Sequence, residues 1–183
     1  MQSKISLGSD FHLGVYHAYW FYPGGVKIRN PDFDDFSSAV LDMKKEAGVE
    51  IRTRNVNYFV YALTPLIPDN VSIAYLPSSN TANTNTGIRE IAQRLAALNG
   101  NTDATSCLVR TKDIPKLASG GNRDPQVHRT SLMVTHAELI KNKNVLLMDD
   151  VTKTGGSLLV GRELLMMAGA KSVTTIALGK RIG

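Results

Sequence analysis

Hydrophobic and polar positions alternate between two periods along this chain. From about Asn70 onward, short apolar runs separate longer stretches of helical spacing. The run "VSIAYLP" (71–77) predicts a short buried strand, and "TGIREIAQRLAAL" (86–98) a helix with Ile88, Ile91, Leu95 and Leu98 on one face. "TSCLVRTK" (105–112) predicts a second strand and "NVLLMDD" (144–150) a third. "SLLVGRELLMMAGA" (157–170) predicts a helix closing near Gly169, and "SVTTIALG" (172–179) a last strand. Strands alternating with helices predict an α/β fold with a mostly parallel sheet. In such sheets ligands bind beyond the carboxyl ends of the strands, where Asp149 and Asp150 stand.

The first 69 residues read differently. "FHLGVYHAYWFYPGG" (11–25) gathers aromatics and two histidines between glycines. "PDFDDFSSAVLDMKKEAG" (31–48) predicts a capped helix, and "NVNYFVYALTPLIP" (55–68) a shorter one ending at its prolines. The expectation is an appendage over residues 1–69 lying above a core domain of residues 70–183.

Composition narrows the class. The 183 residues are 43% hydrophobic and 20% charged, as in ordinary globular proteins. Cys107 is the sole cysteine, which excludes a disulfide framework and a cysteine zinc site. No run approaches the roughly 18 apolar residues of a membrane span, and the start of the chain lacks the apolar core of a signal peptide. The expected location is cytoplasmic. A net charge of +5 fits nucleic acid or a phosphate-rich small substrate; no nucleic-acid motif accompanies it.

The richest chemistry lies in "NVLLMDDVTKTGGSLLVG" (144–161). An apolar run enters two adjacent carboxylates, then a loop of Thr152, Lys153, Thr154, Gly155, Gly156 and Ser157, then a helix. Backbone amides opening a helix hold phosphate, and glycines let the backbone come close to it. The carboxylates would repel a phosphate but accept hydrogen bonds from a diol. A diol beside a phosphate describes a ribose 5-phosphate.

This stretch resembles the phosphoribosyl diphosphate (PRPP) signature of the type I phosphoribosyltransferases. Four apolar positions, both acids, the loop glycine and the closing hydroxyl correspond. The resemblance implies that fold, with the N-terminal segment as a hood, and a Mg²⁺-dependent glycosyltransferase. Asp149 and Asp150 would bind the ribose hydroxyls, and the six loop residues the 5-phosphate. "AYLPSSNTANTNTG" (74–87) resembles the family's pyrophosphate loop in an arrangement like that of the glutamine amidophosphoribosyltransferase and ComF-like members, with Ser78, Ser79 and Asn80 as its contacts. "LVRTKDIPKLASGGNRDPQVHRTSLMV" (108–134) resembles the mobile loop, with Arg110 and Lys112 as catalytic cations for pyrophosphate and Lys116, Arg123, His128 and Arg129 nearby.

Two departures shape the expectation. Lysine stands at position 153, where purine-salvage members carry an acid. The base contacts those members place after the last core strand are expected here from Phe11, His12, Tyr16 and His17. The acceptor is thus open, and a homodimer is compatible with the family. The alternative is a non-catalytic regulator that senses PRPP or a nucleotide, or an accessory effector, either of which could contact nucleic acid.

Overall fold

Apolar runs without alternation belong to strands covered on both faces, and "VLLM" is such a run. In the computed structural model, which describes residues 3–22, 25–44, 48–114 and 125–182, it lies at the centre of the sheet. The strands are β1 (Asp10–Tyr16), β2 (Trp20–Phe21), β3 (Lys27–Ile28), β4 (Ser72–Tyr75), β5 (Thr102–Asp103), β6 (Leu108–Arg110), β7 (Leu132–Val134), β8 (Asn144–Thr152) and β9 (Ser172–Arg181). The helices are α1 (Asp35–Lys44), α2 (Val49–Leu63), α3 (Gly87–Ala96), α4 (Pro125–Arg129) and α5 (Gly156–Met167). Five strands form one sheet in the order β1-β9-β8-β4-β5, with every neighbouring pair parallel. Two small antiparallel ribbons, β2-β3 and β6-β7, stand apart from it.

Side chains of β8 leave alternately to the two faces. Leu146 and Met148 pack with Ile73, Tyr75, Ile176 and Leu178 under α1, α2 and α3. Val145 and Leu147 pack with Ala74, Leu76, Val173 and Ala177 under α5 and the β6-β7 ribbon. Helix α3 follows its predicted face: Ile88, Ile91 and Leu95 are buried, whereas Leu98 falls beyond the helix and is exposed. The Thr86 hydroxyl caps it by accepting from the Arg89 amide. In the same way the Asp34 carboxylate accepts from the Ser37 amide at the start of α1.

Close packing of α5 on the sheet depends on Gly161. A Cβ there would lie 2.8 Å from Leu147 Cδ2 and 3.3 Å from Leu76 Cδ1. Gly161→Val is therefore expected to destabilise the fold by about 1–3 kcal/mol through overpacking, read as a lowered melting temperature. An unchanged melt would mean that α5 has room to lift.

Three sequence expectations are corrected. Phe11 to Tyr16 do not lie over the sheet. They form β1, an edge strand of it, with Asp10 opposite Thr175 and Tyr16 opposite Arg181. Phe11, Leu13 and Tyr16 share the core of α1, α2 and α3. The run 105–112 does not supply a core strand. That place in the sheet is taken by β5, and Leu108–Arg110 pairs with Leu132–Val134 in a separate ribbon. The second N-terminal helix begins at Val49, earlier than its apolar spacing suggested.

Candidate functional site

Strand β4 leads through α3 to β5 on one side of the sheet. Strand β8 leads through α5 to β9 on the other side, with α5 on the opposite face from α3. The connections diverge at the β4-β8 boundary, and a crevice opens beyond the carboxyl ends of these two strands. The Leu76 amide donates to the Met148 carbonyl (2.8 Å), which brings Pro77 and Ser78 level with Asp149. The acid pair and the serine-rich loop therefore meet at one point.

Each acid is set by the chain that follows it. The Asp149 carboxylate accepts from the Asp150 amide (2.8 Å), and the Asp150 carboxylate from the Val151 amide (2.6 Å). Both side chains remain partly exposed. The loop then turns through Gly155 at φ +78°, and α5 begins at Gly156. That left-handed turn is open to glycine at little cost. It leaves the first amides of α5 at the end of β8, where a helix N-terminus favours an anion.

The loop after β4 is held from beneath. Arg110 Nε donates to the Ser78 carbonyl (2.6 Å), and its Nη2 to the Pro77 carbonyl (3.3 Å). Its Nη1 donates to Ser131 Oγ (2.7 Å). The Ile114 amide donates to the Ser79 carbonyl, and the Asp113 carboxylate accepts from both the amide and the hydroxyl of Thr81. Arg110, expected to meet pyrophosphate, thus commits three of its five N–H donors to the protein. Burial pushes its pKa down, and the neighbouring Asp149 carboxylate pulls it back up. Lys112 is exposed beyond the ribbon. Lys116 and Arg123 lie outside the described residues. Arg129 pairs with Glu163, which fastens α4 to α5.

His128 was grouped in sequence with the loop cations, but the structure gives it another place. It is buried, and its Nε2 lies 3.0 Å from the hydroxyl of Ser157. Burial, and then the Arg110 guanidinium, hold its pKa below the ordinary 6.5. The unfolded chain binds a proton that the folded protein refuses, so stability rises with pH through the window beneath 6.5 and is flat above it. Asp10, Asp34 and Asp113 have lowered values and act in the same direction, but only below about 3.8. The expected result is a melting temperature that falls as pH drops from 7 to 5, with the slope reduced in His128→Gln. An equal slope in both proteins would assign the effect elsewhere.

A groove of about 290 Å³ runs beside the phosphate-type loop, between α5 and the edge strand β1. Phe11, His12 and Lys180 border it together with Thr152, Lys153, Thr154 and Gly155. Asp10 bonds Thr175 Oγ1 (2.6 Å) and pairs with Arg162 at one end. Of the N-terminal residues expected near the acceptor, Phe11 and His12 are thus beside the loop, whereas Tyr16 is in the core.

A parallel sheet with an acid pair and a glycine turn at its switch point is an arrangement suited to a ligand that carries both hydroxyls and a phosphate. Residues 89–182 match the family model described as a phosphoribosyl transferase domain, and the chain belongs to that family. It is accordingly an enzyme of the glycosyltransferase type. A comparison with curated proteins finds no match. Among solved structures, the chain is similar to adenine phosphoribosyltransferase from Leishmania tarentolae, at 20% identity and a TM-score of 0.43, covering 90% of this chain and 84% of that one. Among the described residues, no helix is long and apolar enough to cross a membrane.

Proposed function

We propose that the protein transfers the 5-phosphoribosyl group of PRPP to a nitrogen acceptor and releases pyrophosphate. The observation that carries this reading is the Asp149-Asp150 pair at the end of β8, running through the αL turn at Gly155 into α5. Asp149 and Asp150 would accept from the ribose 2- and 3-hydroxyls. Thr152, Lys153, Thr154, Gly155, Gly156 and Ser157 would hold the 5-phosphate. Ser78, Ser79 and Asn80 face the pyrophosphate, with Lys112 as an added cation and Arg110 fixing the loop.

The bond from ribose C1 to pyrophosphate breaks with its electron pair leaving on the pyrophosphate oxygen. The acceptor nitrogen forms the new bond to C1 and gives up its proton. Cations near the leaving group favour this charge development. Among the described residues, no cluster of three or more His, Cys, Asp or Glu side chains forms a metal cage. The resemblance implies Mg²⁺, an ion that binds through substrate phosphates and one or two carboxylates. Asp149 and Asp150 are the carboxylates at hand, and the ion would supply charge neutralisation of the pyrophosphate.

The groove beside Lys153, with Phe11 and His12 on its wall, is the place we assign to the acceptor. Incubation with PRPP, Mg²⁺ and a panel of nucleobases, read by pyrophosphate release, tests the reading. Acceptor-dependent release supports it. PRPP binding without release for any acceptor would favour a sensor.

A further inference from the structure

The two loops of the site are joined below the crevice by hydrogen bonds that run through the backbone of α4. Arg110 holds the carbonyls of Pro77 and Ser78 and donates to Ser131 Oγ. Ser131 is fully buried, and its hydroxyl passes its own hydrogen to the Val127 carbonyl in α4 (2.6 Å). His128, the next residue of α4, reaches Ser157 in the first turn of α5.

We propose that His128 is a positioning residue: its Nε2–H donates to Ser157 Oγ, which turns the Ser157 hydroxyl hydrogen outward to the phosphate of the bound sugar. The proposal rests on the reading of the site as a phosphoribosyl site. The direction of the bond follows from the other ring nitrogen. His128 is 6% exposed, and its Nδ1 is buried with no hydrogen-bond partner among the described residues. If Ser157 donated to Nε2, Nδ1 would carry the hydrogen, leaving a buried N–H unsatisfied. Such orphans are rarer in proteins than under-used acceptors. With the hydrogen on Nε2, Nδ1 is only an unused lone pair. Ser157 then has one hydrogen left and no claim on it from His128.

The imidazole must also stay neutral for this to hold. A second proton would sit on the buried Nδ1, where burial and the repulsion of the Arg110 guanidinium oppose it. Of the carboxylates on the packed elements, Glu163 is paired with Arg129 and Asp149 lies beside Arg110, so neither is left to the ring as a counter-ion. His128 therefore serves as a fixed donor rather than as a proton carrier. Through the same hydrogen bonds, movement of α4 would be felt at both loops.

Two measurements test this. The first is the histidine ¹⁵N spectrum of the ligand-free protein at pH 7.5, with His128 assigned by its loss in His128→Gln. An Nε2–H tautomer is expected, and an Nδ1–H tautomer overturns the proposal whatever the protein binds.

The second is steady-state kinetics with PRPP, supported by titration with ribose 5-phosphate. A phosphate contact is made equally before and during reaction, so its weakening raises KM and leaves kcat nearly unchanged. His128→Leu is expected to raise the KM for PRPP about tenfold. His128→Gln keeps an N–H near the Nε2 position and is expected to restore most of the affinity. In a Ser157→Ala background, His128→Leu should add nothing. Additive effects, or a fall in kcat alone, would overturn the proposal. A wild-type protein that binds neither PRPP nor ribose 5-phosphate overturns the function proposed above and the phosphate-directed half of this inference; the tautomer then decides the remaining half.

Discussion

Asp149→Asn with Asp150→Asn is expected to lower PRPP affinity by about a hundredfold or more while the protein stays folded. Hydrogen bonds to charged acceptors contribute about 1.5–3 kcal/mol each, and two are at stake. The fold should survive because each side chain keeps the oxygen that accepts the following amide. Both residues are partly exposed, and Arg110, which loses the neighbouring Asp149 charge, keeps its hydrogen bonds to the Pro77 and Ser78 carbonyls and to Ser131. Calorimetry with PRPP and Mg²⁺ checks this. Unchanged affinity in a folded double variant would remove the ribose from the end of β8.

Gly155→Val is expected to act as strongly, through the backbone. An added Cβ would meet only Thr152 Oγ1, at 4.0 Å, so the protein itself has room. The difficulty is the backbone conformation at φ +78°. A left-handed residue with a side chain costs about 1–2 kcal/mol, and a β-branched one is worse placed. Relief of that strain swings the first amides of α5 away from the phosphate, and the side chain itself invades the ligand's space. Binding of PRPP and of ribose 5-phosphate should fall together, by at least about a hundredfold. A folded variant that binds ribose 5-phosphate normally would place the phosphate elsewhere.

The part of the site in residues 144–161 was legible because strand, acids, loop and helix are contiguous there. Local sequence decides both the chemistry and its spacing. The support under the crevice was not legible. Arg110 meets Ser78 across 32 residues, and His128 meets Ser157 across 29. Nothing local marks an arginine as a strut rather than a ligand contact. A serine that will be fully buried, such as Ser131, looks in sequence like any loop serine.

The misreading of β1 has a different cause. Phe11, Leu13 and Val15 alternate with His12 and Gly14, which is the period of a half-covered strand. The period is there, but aromatics and glycines crowd the same stretch and give it the composition of a surface segment. The run 105–112 shows the converse. Its apolar stretch is short and ends in Arg110, unlike the uninterrupted "VLLM" of a strand covered on both faces. It belongs to a ribbon with one buried side.

The pairing of β1 with β9 joins an early segment of the chain to a late one. Asp10 and Thr175 are hydrogen-bonded across 165 residues. During synthesis β1 emerges long before its neighbour exists, so its polar backbone and its apolar Phe11 and Leu13 must wait. The central strands β4 and β8 can align first, and the sheet gains its outer strand only when β9 has formed. Such distant pairing slows folding and leaves a sticky nascent segment in the meantime. The β1 segment therefore stays uncovered on the nascent chain until β9 is available to pair with it.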